Sequence, residues 1–328
     1  MGPANVNHSN PQNERSRVCK CGFPVRVSEV EPFYSSGFGV ALLGDARRVM
    51  QQFRPESVDL VLTSPPYPLL RKKAYGNVDA NAYVTWFAPF AAEIVRTLKT
   101  SGSLVLCLGG VWNRQLPTKS TYQFDTLLFL TRFLHFAQDF YVCNPAKLPG
   151  PAEWVNVRKI RAKDAVDCVW WLSKTPDPKA RNTNVLRPYS DSMEVLLRHG
   201  FHAAQRPSGH ILTEKMARNN GGAIPANFLL LPNTTSTDHY LRQCRLQRIE
   251  PHPARFSRRL PEFFIKFLTD KHDIVLDPFA GSNVTGEVAE TLERHWVAVE
   301  NKETYLTGSK LRFGLNAKPP TYWQDRFP

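Results

Sequence analysis

Cysteine and long hydrophobic runs are scarce in this chain of 328 residues. Its six cysteines are too few for a disulfide scaffold, and the Cys19-x-Cys21 spacing has no second pair, so we expect free thiols in a reducing cytoplasm and no metal site. No apolar stretch approaches the roughly 20 residues that a membrane-spanning helix needs. Because the first 17 residues are polar, we also expect neither a secretory signal nor a membrane partner.

Acidic residues are under-represented: 29 Asp and Glu stand against 42 Lys and Arg, which gives a formal net charge of +13. Most of the excess lies between residues 150 and 260, with 18 basic and 9 acidic side chains. A basic surface attracts polyanions by releasing their counterions, but a basic surface is also simply soluble. With 42% hydrophobic and 22% charged residues, the composition is that of an ordinary globular protein and excludes wholesale disorder.

The hydrophobic pattern alternates between strands and helices from residue 40 onward. The predicted strands span 40–43, 58–62, 103–108, 274–277 and 296–299. The predicted helices span 46–53, 81–99, 121–135, 261–269, 285–294 and 303–315. We expect Leu127, Leu128 and Leu130 to be buried, and we assign Trp170 and Trp171 to the core. The alternation predicts an α/β fold with a mainly parallel sheet that is covered by helices on both faces.

Two segments interrupt this pattern. Residues 1–38 show no period, which predicts a flexible arm, and 176–250 are rich in Pro, Asn, Ser and Gly while remaining basic. The predicted regions are therefore the arm at 1–38, two halves of one α/β domain at 39–175 and 251–316, a loop-rich insertion at 176–250 and a C-terminal tail at 317–328.

The strand at 274–277 ends in a tight turn, Asp-Pro-Phe-Ala-Gly-Ser-Asn at 277–283. Ligands of open parallel sheets bind beyond the carboxyl ends of the strands, and the next strand ends at Glu300, whose carboxylate can accept both hydroxyls of a ribose. The turn lacks the glycine patterns that hold a pyrophosphate or a triphosphate, which argues against a dehydrogenase. A nucleoside without phosphates fits better, and S-adenosylmethionine is the common one. Its amino-acid end would lie near Ser282 and Asn283.

The strand at 58–62 ends in Thr63-Ser64-Pro65-Pro66-Tyr67. The two prolines remove two N–H donors and hold the preceding residues extended, so that the Ser64 hydroxyl and the carbonyls of Ser64 and Pro65 form a stiff group of acceptors. Such a group suits a substrate that offers only donors, for example an exocyclic amine, and Tyr67 adds a flat face on which a base can stack. The alternative is a structural Pro-Pro turn beside an exposed tyrosine.

Together the two segments resemble the signatures of the DNA methyltransferases that methylate exocyclic amines. These are the Asp-Pro-Phe-x-Gly loop for S-adenosylmethionine and the [DNS]-P-P-[YF] element for the target amine. With serine in its first position, the second element resembles the form found in the cytosine-N4 branch. The amine motif precedes the cofactor motif, which resembles the order in beta-class methyltransferases of type II restriction-modification systems. The resemblance covers about residues 40–315. It leaves two alternatives, an adenine-N6 methyltransferase and a catalytically silent DNA-binding homologue.

The resemblance implies a Rossmann-like methyltransferase sheet with circularly permuted motif order and a loop-rich DNA-recognition insertion. It implies catalytic roles for Ser64, Pro65, Pro66 and Tyr67. The residues implied to bind S-adenosylmethionine are Asp45, on the adenine side, Phe256, Asp277, Pro278, Phe279, Gly281, Ser282, Asn283, Thr285 and Glu300. The sequence departs from the family pattern at Cys107, where the resemblance leads us to expect an acidic residue.

The same resemblance implies that the protein acts on double-stranded DNA and flips the target base out of the helix, protecting DNA from a cognate endonuclease. We expect residues 176–250 to read the DNA sequence and Arg158, Lys159 and Arg161 to contact phosphates. The other predicted DNA-binding residues are Arg71, Lys72, Lys73, Lys147, Arg206, Ser208 and His210. We further expect a monomer or weak dimer in the cytoplasm of a bacterium or archaeon, associated with the nucleoid.

Overall fold

The computed structural model of the chain describes residues 31–69, 78–200, 218–232 and 238–315. Nine strands within these ranges join into one sheet. They are β1 (Tyr34–Ser35), β2 (Gly39–Leu43), β3 (Val58–Thr63), β4 (Leu98–Gly109), β5 (His135–Cys143), β6 (Val166–Ser173), β7 (Phe228–Leu230), β8 (Ile274–Asp277) and β9 (His295–Glu300). The order across the sheet is β1-β2-β9-β8-β3-β4-β6-β5-β7.

The centre of the sheet is parallel, as predicted. Strands β2, β9, β8, β3 and β4 run in the same direction, so that their carboxyl ends meet at one edge. Strand β6 is antiparallel to both β4 and β5, and it therefore begins at that same edge. The C-terminal strands β8 and β9 lie between the N-terminal strands β2 and β3, which brings together segments that are far apart in the chain.

Helices cover both faces of the sheet. Within the described ranges they are α1 (Ala46–Gln51), α2 (Tyr83–Thr97), α3 (Tyr122–Leu130), α4 (Asp191–His199), α5 (His239–Leu246), α6 (Arg259–Leu268), α7 (Val284–Thr291) and α8 (Glu303–Ser309). Helices α1, α2 and α3 pack on one face, and α6, α7 and α8 pack on the other. Every residue of β3 is buried, because this central strand is covered by helices on both faces.

The region between residues 121 and 173 differs from the prediction. Helix α3 ends at Leu130 instead of His135, and His135 begins strand β5, which pairs with β6. Leu130 is buried as predicted, whereas the prediction for Leu128 is wrong, since it is 65% exposed. Pairing with β6 overrides the helical spacing of these residues, as tertiary context often does. The assignment of Trp170 and Trp171 to the core is confirmed.

The predicted boundary of the N-terminal arm at residue 38 falls inside the folded part of the chain. Strand β1 pairs with β2, and Tyr34 is buried. The Tyr34 hydroxyl lies 2.7 Å from Ser309 Oγ and accepts a hydrogen bond of 3.0 Å from Asn283 Nδ2. A two-residue strand leaves no periodic signal in the sequence, which is why the pattern at 31–38 predicts only loop. Residues 1–30 lie outside the described ranges.

The segment at 176–250 contains more regular structure than its sequence indicates. Its described part holds helices α4 and α5 and the short strand β7, which extends the main sheet by pairing with β5. Helix α5 packs through Tyr240, Leu241 and Cys244 against Leu311 in a small separate cluster. The described part of the insertion is therefore joined to the main sheet. Residues 201–217 and 233–237 lie outside the described ranges.

We predict that Gly39→Ala lowers the free energy of unfolding by about 3 kcal/mol, as overpacking does. Gly39 stands opposite Trp296 in the β2–β9 pair, and a methyl group there would overlap both the indole ring and the backbone carbonyl of Trp296. Gly37→Ala is the matched control, because its methyl group would meet only Glu290 Oε1 at 3.8 Å. Urea unfolding followed by circular dichroism measures both. Equal stability of the two variants would contradict the close pairing of β2 and β9.

Candidate active site

A cavity of about 890 Å³ lies at the edge of the sheet where the parallel strands end. Its walls include Asp45 after β2, Ser64 after β3, Gly109 at the end of β4, Pro278 after β8 and Glu300 at the end of β9. The two strand ends that the sequence singles out therefore open into the same cavity. They are neighbours because β3 pairs directly with β8.

The carboxylate of Asp277 ties these two strand ends together. Its Oδ1 accepts a hydrogen bond of 2.7 Å from Oγ1 of Thr63, which is the last residue of β3. The same oxygen accepts a hydrogen bond of 3.1 Å from the Phe279 backbone N–H. Its Oδ2 accepts a hydrogen bond of 2.7 Å from Thr285 Oγ1. Asp277 is buried, and this burial raises its pKa to about 6 although the three donors favour the ionised form.

The loop after β8 needs the small residues that its sequence supplies. Gly281 has φ +52°, and its N–H donates a hydrogen bond of 2.9 Å to Glu300 Oε2. A methyl group at Gly281 would also lie 3.0 Å from His252 Nε2. Burial lowers the pKa of His252 to about 4, so this ring is neutral at pH 7. Glycine thus allows the loop to approach both Glu300 and the segment around His252.

Most of the predicted cofactor residues border the cavity, and three lie behind it. Those at the wall are Asp45, Phe256, Pro278, Phe279, Gly281, Ser282 and Glu300. The side chains of Asp277, Asn283 and Thr285 are buried in the protein and are not part of the wall. Asn283 caps helix α7, because its Oδ1 accepts the Gly286 N–H at 3.0 Å. The hydrogen bonds of these three residues hold the loop at 277–283 on the side that faces away from the cavity.

Two carboxylates stand at the wall near β2 and β9. Glu300 Oε2 accepts the Gly281 N–H, and Oε1 accepts the Lys302 N–H at 2.9 Å. Burial raises the pKa of Glu300 above its ordinary value. Asp45 caps helix α1 and is paired with Arg47, whose hydrogen bonds hold the pKa of Asp45 below its ordinary value.

An aromatic wall adjoins these carboxylates, and the sequence pattern gave no separate signal for it. The Phe279 ring lies 4.9 Å from the Phe90 ring and 5.9 Å from the Trp86 ring, measured between centroids. Both partners belong to α2 and also line the cavity. In the sequence they look like ordinary core positions of a helix. Flat apolar side chains beside hydrogen-bond acceptors suit a ring system such as a nucleoside.

The Ser64–Tyr67 segment forms a neutral polar cluster. Ser64 Oγ and Tyr67 OH are 3.0 Å apart, and Tyr67 OH is 3.8 Å from Cys107 Sγ. Burial raises the pKa of Tyr67 well above its ordinary value and that of Cys107 to about 12, so all three groups are protonated at pH 7. The Tyr67 ring is partly buried against Gly109, where an added methyl group would lie 2.5 Å from Cε2.

The wall beyond β4 carries two ion pairs. Lys147 Nζ lies 3.3 Å from Asp167 Oδ1, and Lys119 Nζ lies 2.8 Å from Asp164 Oδ1. Lys147 and both aspartates line the cavity. Of these four residues, only Lys147 is among the predicted site residues. Neither aspartate is, because Asp164 lies just before β6 and Asp167 at its start, and β6 is not among the predicted strands.

The predicted phosphate-binding residues lie on the surface. Arg158, Lys159 and Arg161 are exposed. The Arg158 guanidinium stands 5.1 Å from the centre of the Trp154 ring, and Arg161 Nε donates a hydrogen bond of 2.9 Å to the Pro117 carbonyl. The remaining predicted DNA-binding residues lie outside the described ranges: Arg71, Lys72, Lys73, Arg206, Ser208 and His210.

The described ranges contain neither a metal-binding cluster nor a membrane-spanning helix. No group of three or more His, Cys, Asp or Glu residues there is arranged to hold a metal ion. None of the helices in those ranges combines the length and apolarity that crossing a membrane requires. The cysteines that the structure describes, Cys107, Cys143, Cys168 and Cys244, are free thiols. Cys19 and Cys21 lie outside it.

We predict that Asp277→Asn abolishes a pH dependence of stability. The folded protein raises the pKa of Asp277 to about 6, above the 3.8 of an exposed aspartate, and so binds this proton more tightly than the unfolded chain. As the pH rises from about 4 to about 6, the free energy of unfolding of the wild type should therefore fall by up to about 3 kcal/mol relative to that of Asp277→Asn. Urea unfolding at pH 4.5, 5.5 and 7 measures this. A difference that stays constant across the three pH values would contradict the assignment.

Comparison with known proteins agrees with the site. Residues 58–311 match the family model of N6/N4 enzymes described as DNA methylase. The chain is 46% identical over 288 residues to the type II methyltransferase M.PvuII of Proteus hauseri, covering 86% of each protein. A solved PvuII DNA methyltransferase described as cytosine-N4-specific is 40% identical, with a TM-score of 0.71 over 90% of this chain and 93% of that one.

A more distant relative shares the fold. A Thermus thermophilus protein, solved in complex with S-adenosyl-L-methionine, is 20% identical, with a TM-score of 0.51 over 83% of this chain and 91% of that one. The family model spans both predicted signature segments and most of the sheet. The chain therefore belongs to the N6/N4 DNA methylase family.

Proposed function

We propose that this DNA methylase is a site-specific enzyme that transfers a methyl group from S-adenosylmethionine to the exocyclic N4 of cytosine in duplex DNA. The observation that carries the proposal is the shared cavity of the Ser64–Tyr67 segment and the loop at 277–283, joined through Thr63 and Asp277. Ser64 in the first position, and the 40% identity to a solved cytosine-N4 enzyme, favour cytosine over adenine. The intact segments argue against a silent homologue.

The residues present fit S-adenosylmethionine, which supplies an electrophilic methyl group when bound. Glu300 presents a carboxylate at the cavity wall, which can accept the ribose hydroxyls. Phe279 presents a flat face, supported by Trp86 and Phe90. Ser282 lies at the start of α7, where the amino-acid end would be held. The remaining wall on this side comprises Asp45, on the adenine side, and Pro278, Gly281 and Phe256.

The amine side of the cavity suits a cytosine. The lone pair of N4 is delocalised into the ring, so holding the amine in line with the methyl group lowers the barrier by several kcal/mol. Ser64 Oγ and the Pro65 carbonyl accept its two hydrogens and favour positive charge on N4. Flipping the base costs roughly a few kcal/mol. Stacking on Tyr67, about 1–3 kcal/mol, offsets part of that cost.

The biological role and the DNA-reading segment are inferred from the similarity to M.PvuII and from the basic composition of residues 176–250. M.PvuII is a type II methyltransferase, so this enzyme protects DNA from a cognate endonuclease within a restriction-modification system. Residues 176–250 read the DNA sequence, because this segment is basic and rich in the Arg, Asn, Gln, Ser and His side chains that contact base edges. The enzyme works as a monomer or weak dimer in the cytoplasm, close to the nucleoid.

We predict that Ser64→Ala lowers the rate of methyl transfer at least a hundredfold without changing the affinity for S-adenosylmethionine. Ser64 contacts the amine, whereas the cofactor loop rests on Asp277 and Glu300. Transfer of tritiated methyl groups to unmethylated plasmid DNA measures the rate, and calorimetry measures the affinity. The exposed Ser101→Ala is the control. A Ser64→Ala enzyme with wild-type rate would contradict the placement of the amine.

We predict that replacing Arg158, Lys159 and Arg161 together with alanine weakens binding to all duplexes alike. Each lost phosphate contact should reduce the slope of log affinity against log salt concentration by about one unit. Filter binding from 50 to 200 mM salt, with two duplexes of unrelated sequence, measures this. The isolated surface change Lys271→Ala is the control, because Lys271 is paired with Glu293 far from this run. An unchanged slope of log affinity against log salt concentration would show that Arg158, Lys159 and Arg161 are solvated surface residues that do not contact DNA phosphates.

A further inference from the structure

Asp167 stands beside the amine end of the cavity. It is the second residue of β6 and faces Gly109 in the antiparallel pair with β4. A methyl group added to Gly109 would lie 2.5 Å from Tyr67 Cε2 and 3.1 Å from Asp167 Oδ1, so the ring and the carboxylate flank the same glycine. Asp167 lines the cavity, with 27% of its side chain exposed.

Apart from Lys147, the polar groups between Asp167 and Ser64 carry no charge of their own. Ser64, Tyr67 and Cys107 are linked to one another and are protonated at pH 7. Burial is the main cause of the raised pKa of Tyr67 and of Cys107, and the charge of Asp167 raises both further. A neutral hydroxyl and a neutral thiol can orient an amine, but they do not balance a positive charge that develops on it.

The other carboxylates of the cavity wall are engaged elsewhere. Glu300 and Asp45 lie on the cofactor side, bound to backbone N–H groups and to Arg47. Asp164 is held by Lys119 at 2.8 Å, whereas Asp167 meets Lys147 at the longer distance of 3.3 Å. Among the carboxylates that the structure describes at this wall, Asp167 is therefore the one placed beside Tyr67 with a loosely held oxygen.

We propose that Asp167 is a further catalytic residue, whose carboxylate faces the target amine and takes the proton that N4 loses. The inference rests on the proposed function. The N4 lone pair forms the new bond to the methyl carbon as the carbon–sulfur bond breaks, and the electrons of that bond return to sulfur. N4 then carries a positive charge until one of its two N–H groups leaves its acceptor, Ser64 Oγ or the Pro65 carbonyl, and passes its proton to Asp167. Asp167 releases this proton to solvent at its exposed side. Lys147 orients the carboxylate before the reaction.

The test moves the carboxylate within the site. Asp167→Asn keeps the shape of the side chain and removes its charge, and Asp167→Glu keeps the charge. In the Asp167→Asn background, Cys107→Asp places a carboxylate on the other side of the Tyr67 hydroxyl, and Cys107→Asn is its neutral, matched control. Single-turnover transfer of tritiated methyl groups to unmethylated plasmid DNA gives the rate. Calorimetry with S-adenosylmethionine gives the affinity of each variant.

We expect Asp167→Asn to be about a hundredfold slower than the wild type with unchanged cofactor affinity, which is the usual contribution of a proton acceptor. Asp167→Glu should retain more activity than Asp167→Asn. In the Asp167→Asn background, Cys107→Asp should raise the transfer rate at least tenfold, whereas Cys107→Asn should leave it unchanged. An Asp167→Asn rate within threefold of wild type, a joint loss of rate and cofactor affinity, or equal rates of the two Cys107 variants would each overturn the inference. A wild-type enzyme that makes no N4-methylcytosine would instead overturn the proposed function.

Discussion

The site depends on one buried interaction, the hydrogen bond from Thr63 Oγ1 to Asp277 Oδ1. It joins the end of β3 to the end of β8, two segments that are more than two hundred residues apart in the chain. A buried carboxylate is costly unless donors surround it, and Asp277 has three. These same donors hold the Ser64–Tyr67 segment and the loop at 277–283 in fixed positions. The position of the cofactor side of the cavity relative to the amine side is therefore fixed.

The two sides of the cavity differ in charge, as the chemistry of methyl transfer requires. The cofactor side presents Glu300 and Asp45, with aromatic rings beside them, to a cationic nucleoside. The amine side presents the hydroxyls of Ser64 and Tyr67 and the thiol of Cys107, which are linked to one another. Asp167 lies at this side and is paired with Lys147. Alignment contributes more than charge, because attack by a weak nucleophile depends first on geometry.

The sequence predicts the parallel centre of the sheet and the two strand ends well, because proline pairs, small-residue turns and continuous apolar strands are local signals. It fails where pairing partners decide the structure. Strand β1 is too short to show a period, and β5 follows a helix whose spacing continues past its true end. Trp86 and Asp167 belong to the site only through the neighbours that the sheet brings to them. Asp277, Asn283 and Thr285 are predicted to bind the cofactor, and the structure places all three side chains behind the cavity wall.

The most direct test of this account is the identity of the methylated nucleoside. Plasmid DNA from a strain without methyltransferases is incubated with the purified protein and S-adenosylmethionine, then digested to nucleosides and separated by mass spectrometry. The account predicts N4-methylcytosine as the product, because the amine side is built from Ser64 and two prolines. N6-methyladenine, or no methylated nucleoside at all, would contradict it.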